Sequence, residues 1–394
     1  MWKLTSLLFS IGILFSAHSQ ATVAWTFQTQ GRVYSSPILF DQILYVGSGD
    51  NNFYAIDQES GKQVWKFETE GSVHSSPALN NELVIFGNNE GKLFALDRIT
   101  GTLKWSFSSK GEKQYGLWDY YLSSPVIDDE RIFWGSGDGS VYALDLKTGK
   151  MIWEFETGDL VHASPKVDGL DLVIGSFDGN LYSLNKENGS LNWKFKILGA
   201  EYFPKGEIQK AVTIDEETIY FGSRDYNLYA LDKKTGACKW NYREPEGWII
   251  STPLVLGDKI YFGTSDAHKF YCLNRVSGEI LWETPLKMRV YGTAVAYNEL
   301  IYFGTFDGWV YGLNPENGEI EWEFQTEKSK KNSSTMFNEE GGFKEGFQLY
   351  GEDYLKSEKA IHDLGSILGT PLIMDGIIYF GSSDGKIYAV NLKD

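Results

Sequence analysis

The sequence predicts an all-β chain folded as an eight-bladed β-propeller of four-stranded antiparallel blades, and three observations carry that prediction. A tryptophan returns at Trp25, Trp65, Trp105, Trp153, Trp193, Trp240, Trp282 and Trp322, at intervals of 40 to 48 residues. Every interval holds the same succession of short β-branched and aromatic runs broken by glycine-rich turns. The last unit, from Gly369, stops before a fourth strand or a tryptophan, while Ala24-Trp25-Thr26-Phe27-Gln28-Thr29 precedes the first unit and matches the fourth strand of the others. A period near 40 residues belongs to arrays in which each unit is one small sheet. Such a sheet cannot bury both faces alone, so neighbours stack, and radial stacking gives a propeller.

Within a unit the elements follow in a fixed order. Ser75-Ser76-Pro77 opens the inner strand, Leu83–Gly87 is the second, Leu93–Asp97 the third, and Trp105 stands on the fourth. The second and third strands are joined by turns such as Gly135-Ser136-Gly137-Asp138-Gly139-Ser140, where glycine supplies positive φ at little cost. The third and fourth are joined through Ser60-Gly61, Thr100-Gly101, Thr148-Gly149, Asn188-Gly189, Thr235-Gly236, Ser277-Gly278 and Asn317-Gly318. A large aromatic at one place in each fourth strand is expected to wedge between blades, which makes the eight tryptophans structural. Pairing residues 24–29 with the last three strands closes the ring and removes two open sheet edges.

The N-terminus reads as a cleavable secretion signal over residues 1–21: Lys3, an apolar run from Leu4 to Phe15, then Ala17, Ser19 and Ala21 at the cleavage region. The run is short for a membrane span, and with no cysteine near the junction the usual acceptor of an N-terminal lipid is absent. The mature chain, 22–394, is expected to be one propeller domain, periplasmic or secreted. Against 36 Lys and Arg stand 53 Asp and Glu, a net charge of −17. Nucleic acid and anionic membrane surfaces are poor partners for such a chain, since that binding rests on basic residues neutralising phosphates.

Cys238 and Cys272 fall in different blades, leaving either two buried thiols or a bridge between blades. They form no CxxC pair, and His74, His162, His268 and His362 are scattered over separate blades, so no metal site is indicated. Asp138, Asp178, Asp225, Asp266, Asp307 and Asp384 recur in the second-to-third turns, where an Asp side chain bonding its own backbone explains them better than acid/base chemistry. No Gly-x-Ser-x-Gly elbow accompanies the inner-strand serines. No catalytic residue is assigned.

The run Ala143-Leu144-Asp145-Leu146-Lys147-Thr148-Gly149 followed by Trp153, repeated as Asp57/Gly61/Trp65, Asp97/Gly101/Trp105, Asp232/Gly236/Trp240 and Asn274/Gly278/Trp282, resembles the tryptophan-docking motif of the pyrroloquinoline quinone (PQQ) repeat family. That resemblance implies one of two functional classes. In organisation the chain is nearest to the propeller subunit of the outer-membrane β-barrel assembly machinery, a non-catalytic scaffold for protein partners that needs no cofactor. The alternative is a quinoprotein dehydrogenase holding PQQ with calcium near the axis; its adjacent cysteines and its Glu, Asn and Asp ligand set have no counterpart here.

Four insertions interrupt the repeat, at 110–121, 197–209, 243–248 and 327–365, all between a fourth strand and the next inner strand, so alternation places them on one rim. Loops on a rigid scaffold are the usual place for recognition. They carry Tyr115, Trp118, Tyr120, Tyr121, Tyr202, Phe203, Lys205 and Trp248, and the nearby turn of the seventh unit carries Trp309. Tyr and Trp combine large contact area with a polar handle, so these residues are the candidate partner-binding set, for protein or for a glycan or small molecule. Packing of the same aromatics onto the ring is the competing reading. In the longest insertion a helix is expected over Glu352 to Leu364, with Tyr354, Leu355, Ile361 and Leu364 on its apolar face.

Overall fold

The computed structural model describes residues 21–115, 118–350 and 353–392. The expected signal segment lies outside the described residues apart from Ala21. Thirty-two strands form eight four-stranded antiparallel sheets. Seven are built from consecutive strands; the eighth joins Val23–Gln28 to Lys386–Asn391, Ile377–Gly381 and Leu372–Met374. Trp25 pairs with Ala389 and Gln28 with Lys386, so the N-terminal strand supplies the missing outer strand and the ring closes.

The tryptophan period has a geometric cause. Across the third–fourth pair each indole faces a small residue: Trp65 opposite Ala55, Trp105 opposite Ala95, Trp153 opposite Ala143, Trp193 opposite Ser183, Trp240 opposite Ala230, Trp282 opposite Cys272 and Trp322 opposite Gly312. A register shift lies next to every one of these pairs, a bulge that turns the fourth strand. The indole leans over the third-to-fourth turn of the next blade. Its Nε1 donates to a carbonyl there at 2.8–3.2 Å, from Trp25 to Gln58 through Trp282 to Pro315. The ring sits on the turn glycine. Gly61, Gly101, Gly149, Gly189, Gly236, Gly278 and Gly318 have φ between 67° and 76°, and a Cβ on any of them would stand 2.5–2.8 Å from the ring of the preceding blade's tryptophan. Trp322 is the exception. The turn it would dock on is where the chain ends meet, and it packs in a cluster with Ala21, Tyr302 and Leu392.

Near the axis the hydroxyls form a ladder from blade to blade. Thr293 N donates to Thr370 Oγ1, Thr370 N to Ser36 Oγ, Ser36 N to Ser76 Oγ, Ser76 N to Ser124 Oγ and Ser124 N to Ser164 Oγ, at 2.8–3.2 Å. The fifth blade has Ala211 in this place, and there the Thr252 hydroxyl donates to the Ala211 carbonyl instead. The inner-strand serines thus satisfy backbone groups that face a neighbouring blade rather than a partner strand.

Most turn aspartates serve their own turn and also the connection beside it: Asp50, Asp138, Asp178 and Asp225 accept the backbone N–H of Gln30, Lys110, Gly158 and Gly199 at 2.9–3.1 Å, while Asp266 departs from the expected turn role and pairs with Arg289. Asp50, Asp138, Asp178, Asp225 and Asp384 each accept the backbone N–H two residues on and the hydroxyl of a tyrosine four residues on, the latter at 2.5–2.7 Å. Both cysteines are free thiols; Cys272 is buried opposite Trp282, whereas Cys238 is exposed on its fourth strand, which corrects the expectation of two buried thiols.

Truncating Trp153 to alanine empties a dock buried between two blades, and the unfolding free energy should fall by about 3–5 kcal/mol. The shift of the denaturant midpoint measures it.

Candidate functional site

The insertions meet over one mouth of the axial channel. The longest folds as α1 (Glu327–Met336) and α2 (Tyr354–His362). Thr326 caps α1, its Oγ1 accepting from Ser329 N at 3.2 Å. This helix was not foreseen, because its sequence is polar all round and only Ser329 and Met336 are buried. On α2, Ile361 is buried and the following Leu364 packs beside it, but Tyr354 is 37% and Leu355 64% exposed. The four apolar residues therefore do not share one buried face: the first turn projects past the ring.

Met336, Phe337, Ile361 and Leu364 pack with Tyr34, Tyr121, Trp248, Tyr291, Phe306 and Leu368 in one buried cluster. The mouth at this rim is filled by the chain's own side chains. Ser366 Oγ donates to the Phe306 carbonyl and Ser383 Oγ to the His362 carbonyl, both at 2.6 Å, tying the end of α2 to the ring. A calcium-held quinone at this rim would call for clustered oxygen ligands, whereas the side chains that fill the mouth are mostly apolar and aromatic. Among the described residues no group of three or more His, Cys, Asp or Glu is placed to hold a metal ion. The residues present do not fit that group at this rim.

The candidate aromatics divide by position. Tyr121 is buried, with its hydroxyl donating to the Leu368 carbonyl at 3.0 Å. Trp248 is buried between Trp118, at 5.7 Å, and Phe203, at 4.7 Å. Tyr120 lies half-buried against Tyr34 and His362. Tyr115 stacks on Phe177 while donating its hydroxyl to Asp159, which also pairs with Lys205. Trp309 sits apart from this group and stacks on Tyr311. Toward solvent stand Tyr202, 78% exposed, with Tyr115, Leu198, Tyr350, Tyr354 and Leu355. Between three of the four insertions runs a groove of about 650 Å³ walled by Tyr115, Trp118, Tyr202, Phe203, Tyr354 and Leu355, with Glu207 and Arg224 among its lining.

Buried charges hold this rim, and sequence reading passed over them. His162 lies between two carboxylates, Nε2 to Glu112 Oε1 and Nδ1 to Asp119 Oδ1, each at 2.8 Å. The histidine and both carboxylates are shut off from solvent. Glu112 also accepts from Gly137 N at 2.9 Å, and Asp119 from Tyr115 N at 2.9 Å. Burial by itself lowers the His162 pKa, but the hydrogen bonds and charges of Asp119 and Glu112 outweigh it and hold the imidazolium up to about 9. Arg289, fully buried, donates from Nε to Asp266 and from Nη2 to the Tyr350 hydroxyl, each at 3.0 Å, and lies 3.6 Å from Glu358. Burial raises Glu358 to about 7 and, with Arg32 and Arg289 nearby, lowers His362 to about 3. The available signal was positional. His162 precedes its inner strand as His74 and Tyr34 precede theirs, which places it at the axis beneath an insertion that carries Glu112 and Asp119.

His162 titrates higher in the folded chain than its unperturbed value near 6.5, so its contribution to stability is complete below that pH and fades as pH rises through about 9. The buried neutral His74, lowered to about 4, and His362 slope the other way, losing stability as pH falls below their unfolded value. His162→Ala leaves two buried carboxylates without their cation and should cost about 3–5 kcal/mol at neutral pH. The difference between variant and parent should shrink above pH 9, as denaturation over a pH series will read.

The family described as outer membrane protein assembly factor BamB matches residues 13–117, 117–243 and 202–339. Among solved structures, BamB from Moraxella catarrhalis superposes with a TM-score of 0.72 at 18% identity, covering 94% of this chain and 99% of that one. Quinohemoprotein alcohol dehydrogenase from Comamonas testosteroni gives 0.70 at 13% identity, covering 95% of this chain and 76% of that one. A europium-containing methanol dehydrogenase gives 0.69 at 14%, covering 94% and 93%. At these identities the likeness shows the fold, which BamB and the dehydrogenases share. No curated protein matches the chain. With the family match running through most of its blades, the chain belongs to the PQQ-repeat propeller family of outer membrane protein assembly factor BamB.

Proposed function

We propose that this propeller is a non-catalytic docking scaffold for protein partners, exported from the cytoplasm and working in outer-membrane protein assembly. The observation that carries the reading is the groove between the insertions, whose walls expose Tyr202 and Leu355 at 78% and 64% over a mouth filled from within. Side chains buried in the plug cost a partner nothing to order, and the exposed ones give up apolar area to water until covered. The partner-contacting part of the candidate set is therefore Tyr115, Trp118, Tyr202, Phe203 and Lys205; Tyr120, Tyr121 and Trp248 support them from beneath.

Three further features agree with this role. The sequence from Lys3 through Ala21 has the form of an export signal. No helix among the described residues is long and apolar enough to cross a membrane. The matched family is described as an outer membrane protein assembly factor.

A photo-crosslinking residue placed at Tyr202 should yield discrete protein adducts in cells, whereas one placed at Leu191, exposed on an outer strand, should not. Equal labelling from the two positions would refute a docking role for the groove. Calorimetric titration with PQQ and calcium provides the counter-test: saturable uptake of one cofactor per chain would turn the reading toward a dehydrogenase.

A further inference from the structure

The repeats serve as one another's control, and the seventh blade departs from them twice at one place. Where five other blades give the turn aspartate a tyrosine hydroxyl, Asp307 has none: its Oδ1 accepts from Thr305 Oγ1 at 2.5 Å, and its Oδ2 has no partner although the residue is 2% exposed. The ring of the tyrosine four residues on, Tyr311, instead lies parallel to Trp309 and offset from it, ring centres 5.7 Å apart and planes within 1°. Trp309 is the second departure. The corresponding positions are Asn52, Lys92, Ser140, Asn180, Asn227, Lys269 and Lys386, all polar.

Asp307 and Trp309 line the same pocket of about 480 Å³, closed on its far side by α1 and completed by Gln325, Asn338, Lys287 and Lys344. A buried acceptor left without a donor calls for something to fill it. The indole lies alongside the Tyr311 ring and is half-buried, so it offers an apolar platform beside the Asp307 carboxylate and the side-chain amides of Asn338 and Gln325, the latter donating to Ser329 Oγ. An aromatic face next to convergent hydrogen-bonding groups matches a ligand with one apolar face and a rim of hydroxyls. The lining sets two lysines against two acidic residues, Asp307 and Glu339, so no net charge there favours a charged ligand over a neutral one.

We propose that this pocket binds a carbohydrate ring, with the sugar's C–H face on Trp309 and a hydroxyl donating to Asp307 Oδ2. The site lies outside the groove assigned to protein partners, and it stands or falls separately from that assignment.

Ligand-observed NMR titration of the full chain with glucose and with N-acetylglucosamine tests it, with choline as the cationic probe. Saturable binding of a sugar is expected, weakened about tenfold or more by Trp309→Asn, which installs the residue three other blades carry, and by Asp307→Asn, with unchanged melting temperatures. Tyr202→Ser should leave that binding intact. Absence of saturable binding for both sugars, binding that survives Trp309→Asn, or binding of choline in place of sugar would each overturn the proposal.

Discussion

Each blade is fastened to the next by an indole lying on a glycine, and the rest of the molecule depends on that contact. The small residue opposite each tryptophan makes room within the blade, the bulge beside it aims the ring outward, and the left-handed glycine of the next turn has no Cβ to obstruct it. The indole N–H then fixes the blade angle by reaching a carbonyl of that turn. Three residues and one turn conformation thus set the spacing of the whole ring. The one place where the dock lacks its glycine is the junction of the two chain ends, and there the closing strand does the work through ordinary sheet pairing.

A ring fastened in this way leaves the fourth-to-first connections free to lengthen, because neither the dock nor the hydroxyl ladder passes through them. The chain uses that freedom on one rim only. Its insertions carry apolar residues inward to fill the channel mouth and buried ions to pin their own backbones, so a loop over the fourth blade is held by His162 between Glu112 and Asp119. Rigid support beneath exposed aromatics means that little ordering remains to be done when a partner arrives.

The fold was legible because it is repeated. Eight tryptophans, seven turn glycines and a displaced fourth strand are local signals that agree with one another. The turn aspartates were legible in part: the bond to their own backbone needs nothing from outside the turn, but the N–H groups that Asp138 and Asp178 also accept from the neighbouring connection, and the pairing of Asp266 with Arg289, come from distant residues. The charged anchors were not. Glu112, Asp119 and His162 are 43 to 50 residues apart at their contacts, and Arg289 meets Tyr350 across 61. Nor could the sequence divide the rim aromatics, because Tyr121 and Tyr202 differ in burial and not in kind.

By itself, then, the sequence determined the blade count, the closure and the rim on which the insertions gather, since all three follow from residues that are neighbours along a strand or a turn. Only the tertiary structure decided that the insertions close the channel, which aromatics are left in water, and that Asp307 alone among the turn aspartates compared with it keeps a buried oxygen unpartnered. Those outcomes depend on which side chains from distant loops compete for the same space over the axis, and close packing of that kind is settled by volume and by pairing of buried charge rather than by any local pattern.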